Sequence, residues 1–450
     1  MKKALATILA LVMAIGLCSI SWAAGPTSVN SAEGLKTAIA TGGEIILSGS
    51  FEVSEPLSVS TGVTINLNNQ TITGKNGEHG RRVFNVVAGG SLTLTGSGTI
   101  TTAGNNDPTF PDNSSVIRVG DNTNGAACGL VVGKDVKIIA LASYGIAVFG
   151  KNTKQTLEVS GTVTAKEASA ISGNGSAGFT ATEITINDGA TITSENNVAV
   201  YHPQAGTLTV KAATITGRGG IEIKSGTANV KVAGANIKAT GSVEHTGNND
   251  GTSSRGYAIA VVENPGYIGA PSAVIQNGDF VGAMGILKDG EVSAEDKKGS
   301  LAISAGSFTV DVSGYVTGDT PVAFNERTNE RTYYYVGAET IQNAAKNLSA
   351  GQWLAIGKGT VRLTDVPAGV IVRPEHDTVV FVNGKDISNE LDGYTVPQSS
   401  GYYYYQPTTD TKTTDTKGSP KTFDAGIALY VGMALTSAAG VAFVGKKRED

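Results

Sequence analysis

The chain has two cysteines, thirteen prolines and two tryptophans in 450 residues, and only 16% of it is charged. Two cysteines exclude a disulfide framework. Scarce proline, with glycine on no three-residue period, excludes a collagen-like rod. A formal net charge of −5 offers no basic footprint, which excludes nucleic acid as a partner. The four histidines, His79, His202, His245 and His376, are scattered without metal-ligand spacing. Neither a phosphate loop nor a dinucleotide fingerprint occurs. What is abundant is glycine, with 59 residues, nearly twice the usual ~7%. Together with Thr, Val, Ile and Asn it predicts many short strands joined by tight turns. Apolar content of 40% is ordinary, so a core can be buried.

The two ends carry an address. The N-terminus reads MKKALATILALVMAIGLCSISWAAG. Lys2 and Lys3 precede an apolar stretch over 4–20, and Ser21-Trp22-Ala23 supplies small residues at a cleavage site. Residues 1–23 therefore read as a secretory signal peptide. Removing it takes Cys18 away and leaves Cys128, in AACGL, as a small apolar space-filler. At the other end, residues 425–445 run without a charge and are long enough to cross a bilayer as a helix. Lys446, Lys447 and Arg448 form a basic stop. This arrangement resembles the cell-wall sorting signal of Gram-positive surface proteins. Ser419, Pro420, Lys421 and Thr422 match a variant of its Pro-x-Thr-Gly motif, with Phe423 standing where that motif has glycine. The resemblance implies sortase and peptidoglycan as partners, with retention in the membrane as the alternative. Either way the body sits outside the cell, in the wall or on the surface. Residues 406–420, rich in Thr, Asp and Lys, read as a solvated spacer ahead of a sorting signal over 421–450.

The middle of the chain repeats. GTLTVKAATITG (206–217) is echoed by ANVKVAGANIKA (228–239), with Val210 and Ile215 matching Val232 and Ile237. The same apolar pair recurs as Leu67/Ile72, Leu94/Ile100, Val159/Val163, Ile186/Ile192, Ile275/Phe280 and Ile303/Phe308, with Val132 filling one slot. A third strand follows each pair, from VFNVV (83–87) through VAVY (198–201) and GIEIK (220–224) to PVAF (321–324). The unit is 22 to 28 residues long and recurs about nine times, apart from two longer intervals. One coil of three alternating strands cannot bury its inward residues, but a stack of coils can. The expectation is all-β: a right-handed parallel β-helix over 24–332, roughly 40 Å long at ~4.8 Å per coil.

Open ends of such a stack invite pairing with other chains. SAEGLKTAIA (31–40) predicts a capping helix with Ser31 as N-cap and Leu35, Ala38 and Ile39 on its buried face, stopped by Gly42-Gly43. A similar order returns at 333–405. There a helical stretch, 338–348, carries Ile341, Ala344, Ala345 and Leu348 on one face. WLAIG, TVRL, VIVR and TVVFV follow, which predicts a smaller C-terminal domain with Trp353 in its core.

The opening over 31–74 is similar to that of pectate-lyase-like β-helix proteins, and ISAGSFTVDVSGYV (303–316) looks like the end of a coil array in secreted surface proteins of anaerobic Gram-positive bacteria. That fold hosts lyases, hydrolases, adhesins and passive stalks, so a site must decide between them. The Asn-Thr-Asp, Asp-Asp, His-Gly and Arg-Ile-Lys segments of β-helical galacturonases are missing: IEIK lacks the arginine, and HGR (79–81) sits in a loop without paired acids. Asp107, Asp112 and Asp121 near Arg118 are the nearest approach to a lyase centre. Two insertions, 101–115 and 240–256, share Gly-Asn-Asn-Asp and leave the rod at the same corner, five coils or roughly 24 Å apart. Asn105, Asn106, Asp107, Asn248, Asn249 and Asp250 are candidates for an edge that binds a glycan or Ca²⁺, against the plainer reading that these residues simply form turns. No catalytic, metal or cofactor residue is assigned beyond that Ca²⁺ option. The sequence favours a non-catalytic surface protein for adhesion or recognition of a glycan or host protein. A diverged polysaccharide lyase or hydrolase and a passive stalk are the rivals.

Overall fold

The computed structural model describes residues 25–75, 82–102, 114–121, 126–150, 153–175, 182–230, 234–247, 251–290, 298–327 and 330–398. The segments expected to be a signal peptide, a spacer and a sorting signal, with Ser419, Pro420, Lys421 and Thr422, and the apolar span 425–445 lie outside them. Among the described residues no helix is long and apolar enough to cross a membrane.

The repeat winds into three parallel sheets. Each coil lays its first strand in a sheet of eleven, its second in a sheet of fifteen and its third in a sheet of nine. Coil 1 is Gly43–Leu47, Phe51–Val53 and Leu57–Val59; coil 10 begins with Ser300–Ile303 and Gly306–Phe308. The stack thus has ten coils, one more than the repeat count, because EIIL and FEV belong to a coil of their own. Equivalent aliphatic residues stand directly over one another, as the alternation requires. In the first sheet Ile45, Ile65, Leu94, Val132, Val159, Ile186, Val210, Val230, Ile275 and Ile303 are successive partners. In the second, Phe51, Ile72, Ile100, Ile138, Val163, Ile192, Ile215, Ile237, Phe280 and Phe308 do the same. Each full burial of such a side chain contributes about 2 kcal/mol.

Three details differ from the expectation. Val210 pairs with Val230, because Gly206-Thr207 aligns with Gly226-Thr227, while the expected partner Val232 lies outside the described residues. Ile65, rather than Leu67, is the partner of Leu94. PVAF is not a third strand of the rod: Val322–Arg327 pairs antiparallel with Glu330–Val336 and Trp353–Lys358.

Both ends are closed. Helix α1 (Ala32–Thr41) covers the first coil with Leu35, Ala38 and Ile39 buried. The Ser31 hydroxyl accepts the Gly34 N–H at 3.2 Å, and Gly42, at φ 80°, ends the helix. At the far end Glu330–Val336 joins Gly306–Phe308 antiparallel, so the second sheet runs on into the C-terminal module. This sheet is a lid with two faces. Phe324, Tyr334, Val336 and Ala355 pack on the rod core. Ala323, Leu354 and Ile356 pack instead on a second core with Ile341, Ala345 and Leu348, from helix α2 (Ala338–Lys346) and the turn after it. Trp353 is only half-buried, lying against Gly393. Beyond α2 the chain lays Trp353–Lys358 parallel to Ile371–Pro374, and Thr360–Leu363 parallel to Val379–Val382.

The third sheet departs from simple alternation. Val198–His202 and Gly219–Ile223 are buried at every position. Tyr201, Glu222, Ala260 and Val262 face outward yet are covered. The cover comes from the hairpin Glu244–His245/Ser254–Arg255, inserted between the second and third strands of coil 8, and from the turn carrying Asn264 and Tyr267.

Candidate functional site

Two places bring polar side chains together. The first is a groove of about 510 Å³ where the corner of coils 8 to 10 meets α2. The register places Asp279, Ser307 and Tyr335 side by side on the outer face of the second sheet. Ser307 donates its hydroxyl to Asp279. Asn277 adds an amide from the corner, Asn343 adds one from α2 and Asn347 one from the residue that caps it. Tyr333 lies two residues from Tyr335 on the same strand, ring centroids 6.4 Å apart and 23° from parallel. It is exposed, and no other aromatic among the described residues is. The groove is lined by Asp279 and Glu339 but by no lysine or arginine. It thus offers hydrogen-bonding amides, hydroxyls and a flat ring to a neutral ligand, and repels an acidic one.

The second place lies under the coil 8 hairpin. Lys224, at the end of a third-sheet strand, is fully buried and places Nζ 2.6 Å from Asp289 Oδ2 and 3.5 Å from Glu222 Oε1. Asn264 Nδ2 donates to Asp289 Oδ2 at 2.8 Å, and His245 Nε2 stands 2.7 Å from Oδ1. Glu222 accepts the backbone N–H groups of Ser253 and Ser254 at 3.0 and 2.9 Å and the Ser254 hydroxyl at 2.6 Å. Burial pushes the Glu222 carboxyl up, against the opposing pull of Lys224 and these donors. Burial works the same way on Asp289. There the hydrogen bonds from Lys224 and Asn264, the Lys224 charge and the contact with His245 win, holding it below the usual carboxylate range. The two carboxylates converge, but both are sealed from solvent and from any polysaccharide.

His202 points into the rod as the register partner of Ile223 and is 1% exposed. Burial lowers its pKa to about 4, only partly opposed by the Gly206 backbone. The unfolded chain takes up a proton near pH 6.5, whereas the folded chain refuses it until about 4. Stability therefore falls as pH drops through that window, by about 3 kcal/mol at ~1.4 kcal/mol per unit. Urea midpoints at pH 7 and 4.5 check this, and His202→Leu should flatten the slope. An unchanged slope in the variant would remove His202 as its cause.

Arg118 stacks over the Phe149 ring at 4.3 Å and pairs in register with Asn85, which accepts from Arg82 Nη1 at 3.1 Å. Burial, then the neighbouring charge of Arg118, lowers Arg82 to about 10. Of the aspartates proposed near Arg118, Asp121 acts on it electrostatically, while Asp107 and Asp112 lie outside the described residues. Asn105, Asn106, Asn248, Asn249 and Asp250 are outside them too, as is His79. The segments carrying those loop residues do arise between the second and third strands of coils 3 and 8. Cys128 is a buried free thiol in the rod core, its pKa raised by burial. Among the described residues no three His, Cys, Asp or Glu side chains are grouped to hold a metal ion.

The groove and the network were both missed from sequence. IEIK reads as a solvated outer face when its partners are 31 to 65 residues away. The available signal was the weak alternation of YGIAV, VAVY and YAIAVV, since strands covered on both faces become continuous apolar runs. No family model, no curated protein and no solved structure matches this chain.

Proposed function

We propose that the chain is a non-catalytic, cell-surface-anchored recognition protein whose rod presents a binding groove for a neutral extracellular glycan. The groove beside Tyr335 carries the reading. Amides and hydroxyls match the hydroxyls of a sugar ring, and the Tyr335 ring in the groove lining offers an apolar face to its C–H groups. The acidic lining disfavours polygalacturonate, the substrate class implied by the pectate-lyase resemblance. The converging carboxylates that a hydrolase needs are buried, which speaks against the lyase or hydrolase alternative. A leader at residues 1–23 and a sorting signal at 421–450 support secretion followed by sortase attachment to peptidoglycan, or retention in the membrane.

Titration calorimetry of the purified chain against neutral oligosaccharides and polygalacturonate, with and without Ca²⁺, tests it. Binding is expected for a neutral series and not for polygalacturonate. Tyr335→Ala and Asn343→Ala should each weaken it about tenfold, or ~1.4 kcal/mol, with the melting temperature recorded to separate binding from folding. Absence of heat with every sugar would leave the passive stalk as the better reading. Release of reducing or unsaturated sugars would favour the enzyme.

A further inference from the structure

Fully buried lysines are rare because the ammonium group is costly to desolvate. Lys224 is among the largest wholly buried side chains of the chain, and its Nζ meets an equally buried carboxylate at 2.6 Å. The aromatic ring of Tyr267 lies 5.7 Å from the same nitrogen. Held face to face in a dry site, an amine and a carboxyl group reach a very high effective concentration. Attack needs the neutral amine, and the second buried carboxylate, Glu222, stands 3.5 Å from Nζ to take the proton that frees it.

We propose that Lys224 and Asp289 condense into an intramolecular isopeptide bond. The bond formed is Nζ–Cγ, and the bond broken is between Cγ and one carboxylate oxygen of Asp289. The ammonium gives up two protons, and the leaving oxygen departs with both as water. No oxidant or co-reactant is needed. Glu222, 3.5 Å from Nζ, accepts the first proton, and its burial-raised basicity suits it to do so. His245 Nε2, 2.7 Å from Asp289 Oδ1, delivers a proton to the departing oxygen. Its side chain is 22% exposed, which gives the water and the proton a route to solvent. Asn264 and Ser253 hold the Asp289 carboxyl in place with hydrogen bonds of 2.8 and 3.3 Å. Lys224 follows the third strand of coil 7 and Asp289 that of coil 9, so the bond closes a 65-residue span and staples three coils. A chain displayed on a long spacer outside the cell gains resistance to unfolding without a disulfide.

Mass spectrometry of the purified full chain tests this. Protease digestion is expected to yield a branched peptide joining the strand that ends at Lys224 to the segment bearing Asp289. Its mass should be the sum of the two peptides less one water, about 18 Da. Lys224→Met and Asp289→Ala should abolish it. Glu222→Gln, where circular dichroism shows it folded, should slow its appearance at least tenfold. Two linear peptides at full mass in the parent chain overturn the proposal whatever the variants do. A loss of ammonia, about 17 Da, would place the bond on Asn264 and overturn the assignment to Asp289. Persistence of the branched peptide in Lys224→Met overturns it as well.

Discussion

Replacing Lys224 with methionine is expected to cost the folded chain about 3–5 kcal/mol at neutral pH, the usual consequence of stranding buried charge. Before the amide closes, Lys224 is the cation between the fully buried carboxylates of Glu222 and Asp289, and the loss is reckoned against that linear form of the parent chain. Without it, burial raises both carboxyl groups. A carboxyl whose folded pKa lies above its unfolded value contributes full stability only at low pH and loses it as pH rises through the folded value. The deficit relative to the parent chain should therefore shrink as pH falls from neutrality toward the ordinary carboxylate range. Combining Lys224→Met with Glu222→Gln and Asp289→Asn removes the stranded charge and should recover most of the loss at neutral pH. Urea midpoints of parent, single and triple variants at pH 7.5 and 5 measure this. A single variant as stable as its parent at pH 7.5, or relatively worse at pH 5, would show that the cluster does not carry this charge balance.

The rod was readable from sequence because its physics is local and repeated. Alternation places every second residue of a strand on the inner face, and stacking demands the same apolar positions again one coil later. Ile192, Ile215 and Ile237 therefore announce their own column. The same logic explains the slip at Val232. Val230 and Val232 share one parity, so alternation alone cannot choose between them; the Gly-Thr pair that opens both strands can. PVAF failed for another reason. An alternating strand looks the same whether it pairs parallel or antiparallel, and only the hairpin partner Glu330–Val336 shows which. The helix caps were legible because Ser31 and Gly42 act on their own neighbours.

The polar sites were illegible for the opposite reason. Glu222 and Lys224 alternate with Ile221 and Ile223, the pattern of a strand with one wet face. What makes them a buried cluster is the hairpin bearing His245, Ser253 and Ser254, together with Asp289 two coils on. Neither insertion length nor composition says where that hairpin lies down. The groove likewise depends on α2 docking beside coil 10, and the lid sheet determines that docking.

That joint is where the last large effect is expected. Phe308 ends the inner column of the second sheet. Its ring stacks on Phe280 at 4.9 Å and 7°, and its register partner on the lid is Tyr334. Gly278 and Gly306, at φ 138° and 133°, lie over the Phe280 and Phe308 rings, where an added Cβ would collide with the Ala235 and Gly278 carbonyl oxygens and crowd the rings. Tyr334 in turn packs on Phe324 at 6.0 Å. Phe308→Ala opens a cavity between the rod core and the lid, and such truncations cost about 3–5 kcal/mol. The cost should appear as lost coupling as much as lost stability. In a stack each coil is held mainly by its neighbours, so weakening one junction separates the blocks on either side. Trp353 fluorescence, in a chain begun at residue 25, reports the C-terminal module, whereas far-ultraviolet circular dichroism is dominated by the rod. The two probes should trace one urea transition in the parent and two in Phe308→Ala, the module unfolding first. Ile192→Val, in mid-rod, should lower the stability by about 1 kcal/mol and keep the transitions together. Coincident transitions in Phe308→Ala would mean that the lid and rod are coupled mainly by their backbone pairing.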